Sequence, residues 1–288
     1  MNAHNQTFDD VDGVETPSGK NTAYENFPVG SWLLPRHLRV HVLRFYDFAR
    51  ASDDIADNPD LASEEKLARL EIFSTSLKEG NPSLPKALNL RDTFIETGVD
   101  SIHAHQLLQA FRQDAVKERY ANYEELMEYC RLSAAPVGRF LLDLHGERDL
   151  DNRGSDALCI ALQLINHLQD IREDYLTLDR VYMPQDWMES AGAGVESLSG
   201  EGCSPQLRSV IDLCLKEIRL LLDESTSLSV QISNSRLAVE TAVIHEIATA
   251  LTQKLTKEDP LSKRVRLSWF GYIACVLKGV SRCVMARR

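Results

Sequence analysis

A single-domain, all-α fold follows from three features of the sequence. Apolar residues recur at three- and four-residue intervals through most of the chain, no segment alternates Val, Ile or Thr with polar residues as a half-buried strand does, and no Gly/Ser- or Pro-rich linker divides the middle. With 43% apolar side chains, 288 residues are enough for a sizeable core.

The elements follow in order. The first 22 residues are polar, acidic and without period, which predicts a disordered tail ahead of a helical domain over 23–288. Helical periodicity covers 35–57, 63–79, 83–96, 100–118, 122–144, 155–176, 204–231, 234–253 and 262–284. Breakers separate them: DNPD at 57–60, GNPSLP at 80–85 and GERDLDNRG at 146–154. The interval 179–203 has no apolar period, and its length predicts a flap or a disordered Gly/Ser loop.

Two Asp-x-x-x-Asp pairs, Asp53/Asp57 and Asp170/Asp174, stand on segments that read as helix. Residues four apart share a helix face about one turn apart, so each pair aims two carboxylates in one direction. Like charges at that spacing cost a few tenths of a kcal/mol, which a cation offsets. Hard carboxylate oxygens select Mg²⁺ or Mn²⁺, and Mg²⁺ takes one or two protein carboxylates while water and phosphate oxygens complete its octahedron. Two acidic helices facing each other would therefore hold a diphosphate through bridging metals.

Gln163, Asn166, Asp170 and Asp174 follow at spacings of three, four and four, a polar stripe on an otherwise apolar segment. Against a core such a stripe is costly; along a cavity it is accommodated. Arg50, one turn before Asp53, is placed to pair with that carboxylate or to reach a phosphate oxygen. One such aspartate pair alone reads as a solvated helix end. Two of them, one extended by amides, read as a metal–diphosphate site.

These motifs, in this order and spacing, resemble the squalene/phytoene synthase family of trans-isoprenyl diphosphate synthases. The likeness runs over residues 23–270 and rests on Tyr46 to Asp57, Tyr129 to Gly138, Gln163 to Asp174, and Asp179 to Pro184. It implies an isoprenoid-synthase helical bundle around a central cavity. It also implies Mg²⁺ at Asp53, Asp57, Asp170 and Asp174, with the substrate diphosphate held through the metal. Gln163 and Asn166 match the polar residues before the second motif, and Asp114 an acidic position on a helix between the two. Arg50, Arg180 and Tyr182 match positions near the diphosphate, and Gly138 a glycine where a kinked helix approaches the cavity.

Two departures from the family's usual pattern narrow the expectation. A Ser-x-Ser-Phe element is replaced by a stretch from Tyr24 to Ser31 that contains Asn26 and Phe27, and the usual Arg before the second motif is Gln169. Both resemble the branch of bacterial hopanoid biosynthesis that turns presqualene diphosphate into hydroxysqualene. The chemistry this implies is ionisation of presqualene diphosphate to a cyclopropylcarbinyl cation, rearrangement of that carbocation and capture by water, with no nicotinamide. Apolar walls must shield the cation, and Phe27, Phe45, Leu132, Val137, Leu141 and Leu164 are the expected lining; Tyr46, Tyr129 and Asn166 are candidates to position the water. Head-to-head condensation of two farnesyl or geranylgeranyl diphosphates uses the same motifs and is separated by product analysis. A scaffold member that has given up catalysis is disfavoured by the presence of all four aspartates.

Charge is uneven. The chain carries −11, yet residues 261–288 hold seven basic and no acidic side chains, which leaves −18 on the remainder. An acidic body argues against nucleic acid. The tail sets a nine-residue apolar run, Trp269 to Leu277, between Lys and Arg residues, too short to span a bilayer, which needs about 20 residues. It suits either a last helix packed on the bundle or peripheral contact with anionic lipid. Six cysteines without CxxC spacing and no secretory signal pattern fit a reducing cytoplasm, with the membrane's inner face as the place of any contact. Of the histidines, His37 and His41 read as a surface or phosphate-facing pair, His103 and His105 cannot share a face, and His167 stands inside the second motif.

Overall fold

The computed structural model describes residues 14–16 and 34–287. Twelve α-helices make up the described chain: α1 Arg36–Ala56, α2 Ser63–Glu79, α3 Pro85–Thr97, α4 Ile102–Asp114, α5 Tyr123–Ser133, α6 Ala135–Leu144, α7 Arg153–Leu178, α8 Gln185–Ala191, α9 Pro205–Glu224, α10 Leu228–Gln231, α11 Ser235–Leu255 and α12 Trp269–Ala286. Two short parallel strands, β1 Arg119–Tyr120 and β2 Val181–Pro184, form the one sheet among the described residues. The fold is the expected all-α helical bundle.

Helix ends obey local chemistry. Asn122, Ser204, Asn234 and Ser268 each accept a bond from a first-turn amide of the helix that follows, which satisfies donors that have no intrahelical partner. Gly80 and Gly98, at φ of 81° and 67°, end α2 and α3 in the left-handed conformation.

The apolar faces bury into two clusters. One joins α1–α4 with Phe140 and Leu144 of α6, and the other is built on α5, α7, α9 and α11. Helix α6 packs on α7 through Gly138, where an added Cβ would lie 2.4 Å from Ser155 Oγ and 2.7 Å from Cys159 Sγ. A side chain there would push the helices apart.

Several sequence expectations are corrected. The segment 122–144 is two helices, because Ala134 leaves helical geometry (φ −118°) just before Pro136, which has no amide to donate. The segment 100–118 stops at Asp114, and residues 118–121 turn to meet β2. The segment 204–231 breaks at a 3₁₀ turn over Ser225–Ser227. The last helix starts at Trp269, capped by Ser268, and not at 262.

The interval 179–203 is not a loose flap. It holds β2, α8 and a 3₁₀ turn over Val195–Ser199, pinned by buried Val181, Met183, Met188 and Leu198. Single apolar residues spaced by turns leave no period to detect. The acidic tail is also ordered at one point. Val14 is buried in the α1–α4 cluster, Glu15 pairs with Lys86 at 2.5 Å, and Thr16 Oγ1 donates to the Asp54 carbonyl.

Candidate active site

The first aspartate motif ends α1. Arg50 spans it, with Nη1 3.0 Å from Asp53 Oδ2 and with Nε and Nη2 2.9 and 2.6 Å from Asp54 Oδ1. Asp54 is buried and was passed over in the sequence; the doubled Asp before Ile55 was its only signal. Burial drives the Asp53 carboxyl above the usual carboxylate range, the neighbouring Asp57 adds to the rise, and Arg50 opposes it. The Asp53 side chain keeps 31% of its surface open, on the cavity side.

Arg180 joins this motif to the rest of the site. Its Nη1 meets Asp57 Oδ1 at 2.5 Å, and its Nη2 donates to the carbonyls of Ala56 and Asp114, both at 2.9 Å. Those are the last residues of α1 and α4, where helix carbonyls lack partners and attract a cation. The guanidinium is thus held in its charged form by Tyr182, Asp57 and Asp114 in spite of burial.

Asp114 in turn accepts the hydroxyls of Tyr129 (2.8 Å) and Tyr182 (3.0 Å). Burial outweighs the pull of Arg180 and lifts its carboxyl to about 6. Tyr182 stacks on His167 with ring centroids 3.7 Å apart, and His167 Nε2 lies 3.2 Å from Gln163 Nε2. Burial pushes His167 down to about 3, so the ring is neutral.

Asp179 makes this geometry possible. It is the one non-glycine residue with positive φ (51°) among the described residues, and in the left-handed conformation it turns the chain sharply after α7. Arg119 pairs with its carboxylate at 2.6 Å, and β2 runs back beside β1, carrying Arg180 and Tyr182 to the ends of α1 and α4.

The second motif is met differently. Arg264, from the loop after α11, sets Nε 2.6 Å from Asp170 Oδ1 and Nη2 2.8 Å from Oδ2. Gln169, where the family usually has Arg, donates to the Val265 carbonyl at 2.5 Å and fastens that loop to α7. Arg264 was missed in the sequence, where it was one charge in a basic run. Asp174 sits half-buried one turn beyond Asp170.

Between α1, α6, α7 and α11 lies a cavity of about 290 Å³. Arg50, Asp53, Tyr46, Tyr129, Gln163 and Asn166 line it, so these six sequence-predicted residues meet in one place. Asp170 and Asp174 continue the Gln163–Asn166 stripe further along α7, and Asp57, Asp114, Arg180 and Tyr182 form the network described above. Of the expected walls, Phe45, Val137 and Leu141 line the cavity; Leu164 is instead in the core and Leu132 packs against it. Gly138 faces α7 and not the substrate space. Phe45 stacks on Phe140 at 4.0 Å, so two parallel rings form part of the wall.

On the α11 wall, Glu240 and Thr241 are polar members that the sequence gave no reason to single out. Asn26 and Phe27 lie outside the described residues. His41 is not at the surface but buried against Thr93, at 3.1 Å, and desolvation lowers its pKa.

Among the described residues no three His, Cys, Asp or Glu side chains converge to hold a metal on their own. The donors nonetheless fit Mg²⁺, which needs one or two carboxylates when phosphate oxygens and water supply the remaining ligands. The raised pKa of Asp53 points the same way, because two crowded carboxylates become fully ionised at lowest cost beside a cation. Arg50, Arg180 and Arg264 sit on these carboxylates, and of the three Arg50 lines the cavity.

The chain is similar to known proteins of one family. The squalene/phytoene synthase family profile matches residues 20–271. A hydroxysqualene synthase of Zymomonas mobilis is 44% identical over 262 residues, 90% of this chain and 88% of the relative. A hydroxysqualene synthase of Rhodopseudomonas palustris is 41% identical over 274 residues, 95% of this chain and 94% of the relative. The crystal structure of squalene synthase HpnC from Alicyclobacillus acidocaldarius superposes with a TM-score of 0.70 at 32% identity, covering 78% of this chain and 85% of that one.

Proposed function

From the premise that this chain is an enzyme of the squalene/phytoene synthase family, we propose that it converts presqualene diphosphate and water to hydroxysqualene and free diphosphate. The observation that carries the reading is one cavity whose largely apolar lining is joined by Arg50, Asp53, Gln163 and Asn166 from the two aspartate-bearing helices and by Glu240 and Thr241 from α11. Such a space holds a diphosphate by its charge and a hydrocarbon by its bulk.

Asp53, Asp57, Asp170 and Asp174 are the residues that would hold Mg²⁺ or Mn²⁺. When bound, such an ion supplies charge stabilisation to the departing diphosphate oxygen. Arg50, Arg180 and Arg264 add hydrogen bonds to the same leaving group, with guanidinium forks suited to phosphate. As the C–O bond breaks, its electron pair leaves with the diphosphate. The stacked Phe45–Phe140 pair gives an aromatic wall beside the carbocation, while Val137, Leu141 and Ile244 keep water from premature capture. A single water then forms the new C–O bond and gives up a proton. Of Glu240, Thr241, Asn166 and Tyr46 at the cavity, the Glu240 carboxylate is the group that can accept it, and the other three are polar groups that can orient the water. The Tyr129 hydroxyl is committed to Asp114 and holds that wall in place.

No reductant enters this balance, so no nicotinamide is needed. The same reading sets the enzyme beside a bilayer, where a substrate this hydrophobic dissolves.

Incubation with presqualene diphosphate and Mg²⁺, without NADPH, should release hydroxysqualene and diphosphate. The second reading, head-to-head condensation, is favoured by the squalene synthase name of one structural neighbour. Consumption of farnesyl diphosphate to give presqualene diphosphate, or squalene formed only with NADPH, would replace the first reading with the second.

A further inference from the structure

Helix α12 carries an apolar stripe that the fold leaves uncovered. Trp269, Phe270, Ile273, Leu277, Val280 and Val284 are all exposed, Phe270 by 82% and Leu277 by 66%. At 3.6 residues per turn these six fall within an arc of roughly 100°. The opposite face is fully used. Cys275, Gly279 and Cys283 are buried against α11, and a Cβ on Gly279 would lie 2.7 Å from Val243 Cα. Lys278 and Arg282 clamp Glu246 at 2.6 and 2.9 Å, and Arg287 donates to the carbonyls of Ile232 and Ser233. The helix is therefore rigidly seated with its greasy side outward. One amphipathic helix thus has two apolar faces, of which the bundle covers only one.

We propose that this stripe is a docking surface for an anionic lipid bilayer, with α12 lying in the plane of the interface. Charge selects the occupant. Residues 261–288 hold seven basic and no acidic side chains while the remainder of the chain carries −18; Arg264, Lys278 and Arg282 pair with Asp170 and Glu246, and Lys263, Arg266 and Lys278 stay exposed, so this end is the one that can approach a negative surface. A second copy docked stripe to stripe would bring two such basic segments together. Trp269 opens the helix beside Arg266, an arrangement suited to the headgroup boundary. Spanning is ruled out by the packing, because pulling α12 into a membrane would break the Glu246 clamp and the Gly279 contact. The surface also suits the cavity. Helix α11 presents Leu237, Thr241 and Ile244 to the cavity and Val243 and Glu246 to α12, so one helix separates the hydrocarbon space from the proposed lipid face. The docking surface stands on α12 itself and holds whichever diphosphate the cavity accepts.

The test is flotation of the full chain with vesicles of phosphatidylglycerol and phosphatidylcholine, against pure phosphatidylcholine. The protein should float with the anionic vesicles, be released by high salt or carbonate, and lose partitioning by at least about tenfold in the double variant Phe270→Glu, Leu277→Glu. Circular dichroism and Tm should be unchanged in that variant, since both sites are exposed. Absence of flotation at low salt, or equal flotation of the variant, would overturn the proposal. So would a wild-type dimer in sedimentation that the variant converts to monomer without any vesicle binding.

Discussion

Asp53 and Asp57 are enclosed by α1, the end of α4 and the turn that carries Arg180, whereas Asp170 is met by Arg264 from a loop 94 residues further along the chain. The two motifs have the same four-residue spacing and the same proposed task. Their carboxylates keep similar exposure, 31% and 20% for Asp53 and Asp57 against 24% for Asp170, but the arginines that meet them differ, with Arg180 6% exposed at the first motif and Arg264 21% exposed at the second. Burial at the first motif raises the pKa of the Asp53 carboxyl; at the second, Asp170 pairs with Arg264. A diphosphate entering the site would have to compete for buried cations at one end and draw a loop cation away at the other.

The largest test of that comparison is activity. Asp53→Ala and Asp170→Ala should each lower turnover by about a thousandfold or more, as expected when several kcal/mol of charge stabilisation on the leaving group is lost. EDTA should do the same and Mg²⁺ should reverse it. Turnover surviving in one of the two variants would show that only one motif holds metal.

Stability should separate the motifs more sharply. Asp57→Ala strands the buried Arg180 and should cost about 3 kcal/mol or more, the range for an uncompensated buried charge. Asp170→Ala leaves Arg264, whose side chain still reaches solvent, and should cost about 1 kcal/mol or less. Asp53→Ala should be neutral or stabilising, because it removes a carboxyl that burial already disfavours. Denaturant midpoints at constant m-value measure all three. Equal losses for Asp57→Ala and Asp170→Ala would erase the distinction between the two motifs.

Titration gives the third contrast. The carboxyls of Asp53 and Asp114 have folded-state pKa values above their ordinary ones, so the folded state holds these protons longer than the unfolded chain. Their contribution to stability is greatest below the usual carboxylate range. It declines as pH rises through about 6 for Asp114, and further as Asp53 ionises. Without metal, Tm should fall across that window, and Asp53→Asn should flatten the fall. Mg²⁺ should raise Tm more at pH 8 than at pH 5, since it binds the ionised form. A metal increment independent of pH would contradict the enclosed-carboxylate picture.

The first motif was far more legible in the sequence than its setting. Periodicity and the two aspartate pairs located α1 and α7 and the face of each that matters, because helix geometry maps spacing onto direction. Tyr46, Arg50, Gln163 and Asn166 reached the cavity for the same reason. What could not be read are contacts between residues far apart in the chain. Asp54 repeats the residue before it, Arg264 is one charge in a basic run, and nothing in its spacing sets Glu240 apart from other helical acids. The strand pair was invisible because β1 is two residues long and β2 follows a left-handed Asp. Val14 escaped because one apolar residue makes no pattern.

Gln169 offers the smallest effect and the most specific one, since it concerns the Arg264 loop alone. Its amide holds the Val265 carbonyl, and Val265 adjoins Arg264, so the residue that replaces the family's usual arginine positions a different arginine over Asp170. Gln169→Leu keeps the volume but leaves that carbonyl without its donor, at a stability cost of about 1 kcal/mol. The loop should then hold Arg264 less firmly. KM for the diphosphate substrate should rise several-fold, by about threefold to tenfold for roughly 1 kcal/mol of lost positioning, with kcat little changed. Arg264→Ala should raise KM further, and the double variant should be no worse than Arg264→Ala if Gln169 acts through it. Additive losses in the double variant would show that Gln169 bears on the diphosphate by itself and that the loop does not place Arg264 as this comparison requires.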